Sequence, residues 1–152
     1  PIRVETYGLR EDSCGPGEHR GGLGLVRQYR LLADDAVLQL RADRAKIPPY
    51  GLRGGGPAAP SRNILDPDGR AEEVPSKITR NVRKGDVIRH EQAGGGGYGD
   101  PLIRDPDLVA VDVADEKISR KFAEENFGVV IQPGEAQPDL AATEVCRARL
   151  RS

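Results

Sequence analysis

A cysteine and a histidine five residues apart, Cys14 and His19, are the first side chains in this sequence that could do chemistry. They could supply half of a zinc site, but zinc takes four protein ligands, or three and a water, and no second Cys/His pair follows. A catalytic cysteine and histidine would also need a third group to orient them and a lowered thiol pKa. We therefore predict no catalytic residue and no metal site, and keep Cys14 and His19 only as weak metal candidates.

Three basic side chains, Arg44, Lys46 and Arg53, flank a segment rich in proline and glycine. Backbone amides in tight turns form concavities that bind anions, so these side chains are candidates for binding an anion or a nucleotide. The segment is not a Walker loop, because no Gly-Lys-Ser/Thr leads it into a helix. The alternative is a rigid loop packed at an interface.

Two carboxylates, Asp100 and Asp105, lie close together in the sequence, and His90 precedes them. Paired carboxylates can act as general acid and base when a closed pocket holds them. Each aspartate directly precedes a proline, however, so capping of a turn or a helix explains both more simply. We interpret His90 as a structural or interface residue.

The chain is organised around a run of four glycines, Gly94 to Gly97, followed by Tyr98, Gly99 and Asp100. Ordering four glycines costs much backbone entropy, so an ordered run implies that a strand, another subunit or a ligand presses close to the main chain. A flexible joint between two halves of the chain is the alternative. We predict loop or interface roles for Gly94, Gly95, Gly96, Gly97, Tyr98 and Asp100.

Short alternating segments precede the glycine run and predict a β domain over residues 1–93. Ile2–Tyr7 has the period of a half-buried strand, and Val87–Glu91 leads directly into the glycines. We predict one hairpin from Gly24–Leu32 and Val37–Arg41. A second would join Asn63–Leu65 to Lys77–Val82 around a turn at residues 66–69.

Helix signals follow the glycine run, which we take as a connector over residues 94–104. Asp105 before Pro106 predicts one helix start, and Ser119 with Gly128 brackets a second helix. A short strand, Val129–Ile131, would end this section at residue 131. The tail over 132–152 carries a third possible helix, suited to docking on a partner. The predicted fold class is α+β, mainly β, with short antiparallel strands, long Gly/Pro-rich loops and a small helical C-terminal section.

Composition restricts the function further. The 152 residues carry a net charge of −1, so no global field attracts nucleic acid or an anionic membrane. The two cysteines, and the lack of any long apolar run or signal peptide, predict a cytoplasmic protein with free thiols. A start at Pro1 fits both a small natural subunit and a piece of a longer chain.

Several segments occur in an order that resembles the C-terminal part of the hydantoinase B/oxoprolinase family. The resemblance covers roughly residues 1 to 131 and includes Gly15-Pro16-Gly17, Pro48-Pro49-Tyr50-Gly51-Leu52, Lys84-Gly85-Asp86, Gly94 to Pro101, and Phe127 to Val130. One glycine cluster would be unspecific, whereas so many segments in one order are not.

The resemblance implies a multi-subunit, ATP-dependent carboxylase or hydantoinase acting on ketones or cyclic amides. Larger hydantoinase A-like and B-like subunits would be the partners, and ATP with a divalent metal ion would bind within the complex rather than to this chain. The family's catalytic and metal positions lie mainly upstream of the matching region. The chain would thus be a small subunit or C-terminal segment with a mainly structural role. The alternative is a non-catalytic interface module or an excised fragment of a 5-oxoprolinase or hydantoinase B component.

Overall fold

The computed structural model describes all 152 residues and contains seven strands and three α-helices. The strands are β1 (Ile2–Leu9), β2 (Leu25–Leu31), β3 (Asp35–Arg41), β4 (Arg62–Leu65), β5 (Glu72–Glu73), β6 (Lys77–Arg83) and β7 (Val87–Glu91). The helices are α1 (Pro106–Ala114), α2 (Arg120–Phe127) and α3 (Leu140–Arg151). Every strand pair is antiparallel, which confirms the predicted α+β class with short antiparallel strands.

Five of the strands form one sheet in the order β1-β2-β7-β4-β5, and β3 and β6 form a separate two-stranded ribbon. The ribbon lies over one face of the sheet. Its inward side chains, Leu38 and Val82 among them, pack on Leu31, Leu65 and Ile88 of the sheet. This apolar layer is the core of the β region.

The opposite face of the sheet carries a network of polar side chains. Arg89 connects the Gln28 amide oxygen, at 3.3 Å, with the Glu91 carboxylate, at 2.9 Å. Arg10 reaches the same carboxylate at 3.4 Å. Gln28 and Glu91 are buried, so these contacts supply the partners that buried polar groups need.

Both predicted hairpins are wrong in their pairing. The segment after residues 34–35 does not fold back on β2, because the chain crosses there from the sheet to the ribbon, and β3 pairs with β6 instead. The turn over residues 66–69 does close a hairpin, but its second strand is the short β5. Burial of the inward face of β3 and β6 on the sheet decides both outcomes, and this contact is not local in sequence.

The second core lies in the helical section, where Phe127, Ile118 and Val109 are fully buried. Each of these large apolar side chains stabilises the fold by about 1.5–3 kcal/mol through removal from water. Cys14, from the loop after β1, packs into the same core. The core therefore joins the helices to the front part of the chain.

The predicted helix signals are confirmed by the cap geometry. The Asp105 carboxylate accepts the Asp107 N–H at 2.9 Å, and the Ser119 hydroxyl accepts the Phe122 N–H at 3.0 Å. Gly128 ends α2 in the left-handed region, with φ of 63°. Asp139 starts α3.

The predicted strand over Val129–Ile131 is not formed. The Val129 N–H bonds back to the Ala123 carbonyl, and the Val130 N–H donates to the Thr143 hydroxyl of α3 at 3.0 Å. These amides are therefore used in helix contacts and are not available to a sheet. Val129 itself is buried in the helical core.

Candidate functional site

The four-glycine run belongs to a layer built from three segments of this chain, residues 13–24, 49–59 and 92–99, which we call the glycine layer. The segments bond to one another through their main chains. Gly15 donates to the Gly95 carbonyl at 2.8 Å, and Gly95 donates to the Gly22 carbonyl at 2.8 Å. On the other side, Gly97 donates to the Gly56 carbonyl at 3.0 Å.

Close backbone approach explains the glycines of this layer. A Cβ atom on Gly21 would overlap the Gly95 carbonyl, and a Cβ on Gly96 would overlap the Tyr50 carbonyl. Neither Gly21 nor Gly96 has a positive φ, so space rather than backbone conformation excludes a side chain. The elements that press on the glycine run are thus two other segments of the same chain.

Tyr98 and Asp100, at the exit of the run, have structural contacts. Tyr98 and His19 exchange two main-chain hydrogen bonds, at 2.9 and 3.0 Å. Their rings lie 6.3 Å apart, and the Tyr98 side chain is partly exposed. The Asp100 carboxylate accepts the Leu102 N–H at 2.8 Å and caps the following turn.

Asp112 of α1 is the centre of a buried ion cluster that the sequence analysis missed. Its carboxylate accepts two hydrogen bonds from Arg20, at 2.7 and 2.9 Å, and one from Arg104 at 3.0 Å. The Lys117 ammonium lies 3.6 Å away. Arg20 belongs to the glycine layer, so the cluster connects this layer to the helices.

The electrostatics of the cluster favour the ionised carboxylate. Burial by itself would raise the pKa of Asp112, but the hydrogen bonds and charge of Arg20, together with Arg104, outweigh burial and lower this pKa below its ordinary value. The same contact raises the pKa of the Arg20 guanidinium. One signal for the cluster was present in the sequence, namely a single aspartate among the apolar residues of Leu108–Val113.

Cys14 and His19 are placed in different surroundings. Cys14 is buried in the helical core, and this burial raises the pKa of its thiol. His19 lies beside Tyr98 in the glycine layer. The chain contains no group of three or more His, Cys, Asp or Glu side chains that could hold a metal ion.

The three basic candidates for anion binding do not line one cavity. Arg44 borders an open cleft together with Arg41, Ser61 and His90, whereas Lys46 and Arg53 do not line it. Arg53 lies in a turn next to Gly54, which faces the main chain of Asp100. Arg44 and Arg53 both have positive φ, at 63° and 49°.

His90, on the wall of this cleft, has a fixed orientation. Its Nδ1 lies 2.6 Å from the Asn63 side-chain oxygen, so Nδ1 carries a proton and donates to it. Burial, and then repulsion by Arg27, lower the pKa of His90. A neutral ring held in this way fits a structural histidine.

The hydantoinase B/oxoprolinase family profile matches residues 1–101. The chain is 43% identical over 131 residues to the uncharacterized protein MJ0963 of Methanocaldococcus jannaschii, covering 86% of this chain and 23% of that protein. It is 36% identical over 138 residues to the B component of a putative D-/L-hydantoinase from a Pseudomonas species, strain NS671, covering 89% and 23% of the two chains.

Solved structures agree with the sequence relatives. A nucleotide-free structure of acetone carboxylase, from work on ATP-dependent acetone carboxylation, matches 99% of this chain with a TM-score of 0.85 and 26% identity. That match covers 25% of the carboxylase chain. The chain belongs to the hydantoinase B/oxoprolinase family, as the sequence resemblance implied, and spans about a quarter of the length of these relatives.

None of the helices is both long enough and apolar enough to cross a membrane.

Proposed function

We propose that this chain forms a structural part of a multi-subunit, ATP-dependent enzyme of the carboxylase or hydantoinase type, which acts on ketones or cyclic amides. The observation that carries the proposal is the match of nearly the whole chain, at a TM-score of 0.85, to one quarter of an acetone carboxylase chain. Larger A-like and B-like subunits are the partners, and ATP with a divalent metal ion binds on them. The complex works in the cytoplasm.

The polar side chains of the candidate site bond to other groups of the same chain, and this supports a structural role. Asp112 is fully occupied by cations of the same chain, and Asp100 and Asp105 accept main-chain N–H groups as caps. Cys14 lies in an apolar core, where its thiol is kept protonated. A catalytic nucleophile or base needs access to substrate, and the buried Asp112 and Cys14 side chains lack that access.

Gentle purification from the source, followed by native mass spectrometry, tests the assembly. We expect this chain to be bound to subunits of hydantoinase A and B type. The purified assembly should then hydrolyse ATP only when a ketone or a cyclic amide is present, and the substrate that stimulates it identifies the branch.

Reconstitution from separate subunits tests the structural role. We expect omission of this chain to prevent assembly, and chains carrying the exposed substitutions Arg44→Ala or Arg53→Ala to restore both assembly and turnover. If the chain purifies only as a 16.4 kDa monomer, or if either arginine is needed for turnover in an assembled complex, the proposal is wrong.

A further inference from the structure

Strand β1 has an apolar face that nothing in this chain covers. Its apolar side chains Ile2, Val4, Tyr7 and Leu9 are exposed by 58%, 55%, 66% and 58%. They lie opposite Leu31, Tyr29, Arg27 and Leu25 of β2, respectively, and therefore on the face of the sheet that the ribbon covers further along. The ribbon reaches β2 and its neighbours but leaves β1 open.

An irregularity in β1 preserves this face over the whole strand. Side chains alternate between the two faces of a sheet along a strand. In a regular strand, residues 2 and 4 would therefore be on one face and residues 7 and 9 on the other. The register shifts between Val4 and Thr6, which leaves Glu5 without a partner on β2. Such a bulge moves Tyr7 and Leu9 to the same face as Ile2 and Val4. The apolar stripe thus continues along all of β1.

The two edges of the sheet differ in their protection. The far edge is β5, which has only two residues, both glutamates, and short charged edges resist further pairing. The near edge is β1, with eight residues and no proline. Its outer main-chain groups are free, because β2 is its only neighbour. A long apolar edge of this kind is typical of a site where another strand adds.

A groove opens at the start of β1, between Ile2 and the ribbon. Its walls are almost entirely apolar and include Ile2 and Tyr29 on one side and Ala36 and Val37 on the other. Val37 itself is mostly exposed. A strand that pairs with β1 could place apolar side chains in this groove and cover the stripe.

We infer that β1 and this groove bind an extended apolar segment from the part of a hydantoinase B-type subunit that lies outside the aligned quarter. The inference rests on the proposed function. About three quarters of each relative lie outside the match, and the acetone carboxylase structure holds this same fold within such a longer chain. The segment adds to β1 as a further strand through main-chain hydrogen bonds, and its apolar side chains enter the groove.

A chimera tests the inference, in which this chain replaces the aligned quarter of MJ0963, with which it is 43% identical. Hydrogen exchange of the β1 amides is measured by mass spectrometry in the chimera and in the isolated chain. We expect exchange of residues 2–9 to be at least about 100-fold slower in the chimera, since a paired edge opens only with its partner. Val4→Lys should remove most of that protection. Val111→Lys is the control, because Val111 on α1 is exposed to a similar degree, 53%.

Each other outcome counts against the inference in a distinct way. If the chimera folds, with its remaining amides protected, and β1 still exchanges as fast as in the isolated chain, the inference is wrong and the proposed function stands. If β1 in the isolated chain is protected only at high protein concentration, a second copy of the chain is the occupant. If the unsubstituted chimera does not fold, the proposed function and the inference both fail.

Discussion

Replacement of Asp112 by asparagine removes the negative charge at the centre of the ion cluster and nearly preserves its shape. The carboxylate is 5% exposed and accepts three hydrogen bonds from two guanidinium groups. An asparagine oxygen in the place of Oδ2 can still accept two of them, from Arg20 and Arg104, but its NH₂ group then turns a donor toward the second Arg20 donor and the negative charge is lost. Breaking a buried pair from one side costs about 3–5 kcal/mol, because the partner charges stay buried. We expect Asp112→Asn to lower the free energy of unfolding by about that amount.

Urea unfolding of the isolated chain measures this effect directly, and Asp115→Asn is the matched control. Asp115 lies three residues further on, is half exposed and pairs with Lys117 at 2.8 Å. Exposed ion pairs contribute little to stability, so this substitution should leave the midpoint nearly unchanged. A loss of less than about 1 kcal/mol in Asp112→Asn would refute the assigned role, since it is below the range for a buried pair.

The difference between wild type and Asp112→Asn should depend on pH. The folded-state pKa of Asp112 lies below 3.8, its ordinary value, so folding favours the ionised carboxylate. Its contribution to stability is complete above the unfolded pKa and is lost as the pH falls through the folded one. The difference in free energy of unfolding between wild type and Asp112→Asn should therefore become smaller as the pH falls from 7 to 2.5. A constant difference across this range would contradict the reasoning.

Three further predictions concern other parts of the fold. Gly21→Ala should prevent folding or strongly destabilise the chain, because its Cβ would overlap the Gly95 carbonyl, whereas Gly22→Ala meets no atom within 4 Å and should be tolerated in the same circular-dichroism melt. In a Cys146→Ser variant, where Cys14 is the one remaining thiol, Ellman's reagent should react only after unfolding, since Cys14 is buried and burial raises its pKa; rapid reaction of the folded variant would contradict its placement. His90 should titrate below 6.5 by NMR, because burial disfavours its charged form, and a midpoint above 6.5 would contradict this environment.

Helix ends were predictable because their signals are local. An aspartate before a proline, or a serine three residues before the amide that it caps, brings donor and acceptor together within one turn. Asp105, Ser119 and Gly128 each act where the sequence placed them. No other part of the chain is needed for these contacts, so a single sequence contains enough information.

Strand pairing was predicted less well because it depends on distant segments. The acidic pair at residues 34–35 looks like a hairpin turn, yet β3 finds its partner about forty residues later in β6. The inward face of this ribbon packs on Leu31 and Ile88, and that burial outweighs the local turn preference. Alternation predicted that β3 and β6 are strands, but it contains no information about which strands are neighbours.

The candidate site was predictable in part. The glycine run was identified as a place of close approach, but the sequence left open whether a strand, a subunit or a ligand makes that approach. The answer depends on Gly15, Gly21 and Gly56, which three-dimensional packing alone brings against the run. The role of Asp112 was missed because its partners are not its neighbours in sequence. Arg20 precedes it by 92 residues and Arg104 by 8 residues.

The side-chain pattern of β1 is that of a strand with one buried apolar face, but in this chain the apolar face is exposed. Alternation over Ile2–Tyr7 predicted a half-buried strand, and the bulge at Glu5 keeps four apolar side chains on one face, but that face is open. Burying side chains of this size is worth about 1.5–3 kcal/mol each, and a chain with a modest aliphatic core would gain from it. On the polar face of the same strand, Glu5 accepts hydrogen bonds from Arg30 and Gln28. A strand added to the free edge of β1 would bury the exposed apolar face and leave these polar contacts unchanged, which is the arrangement that we infer.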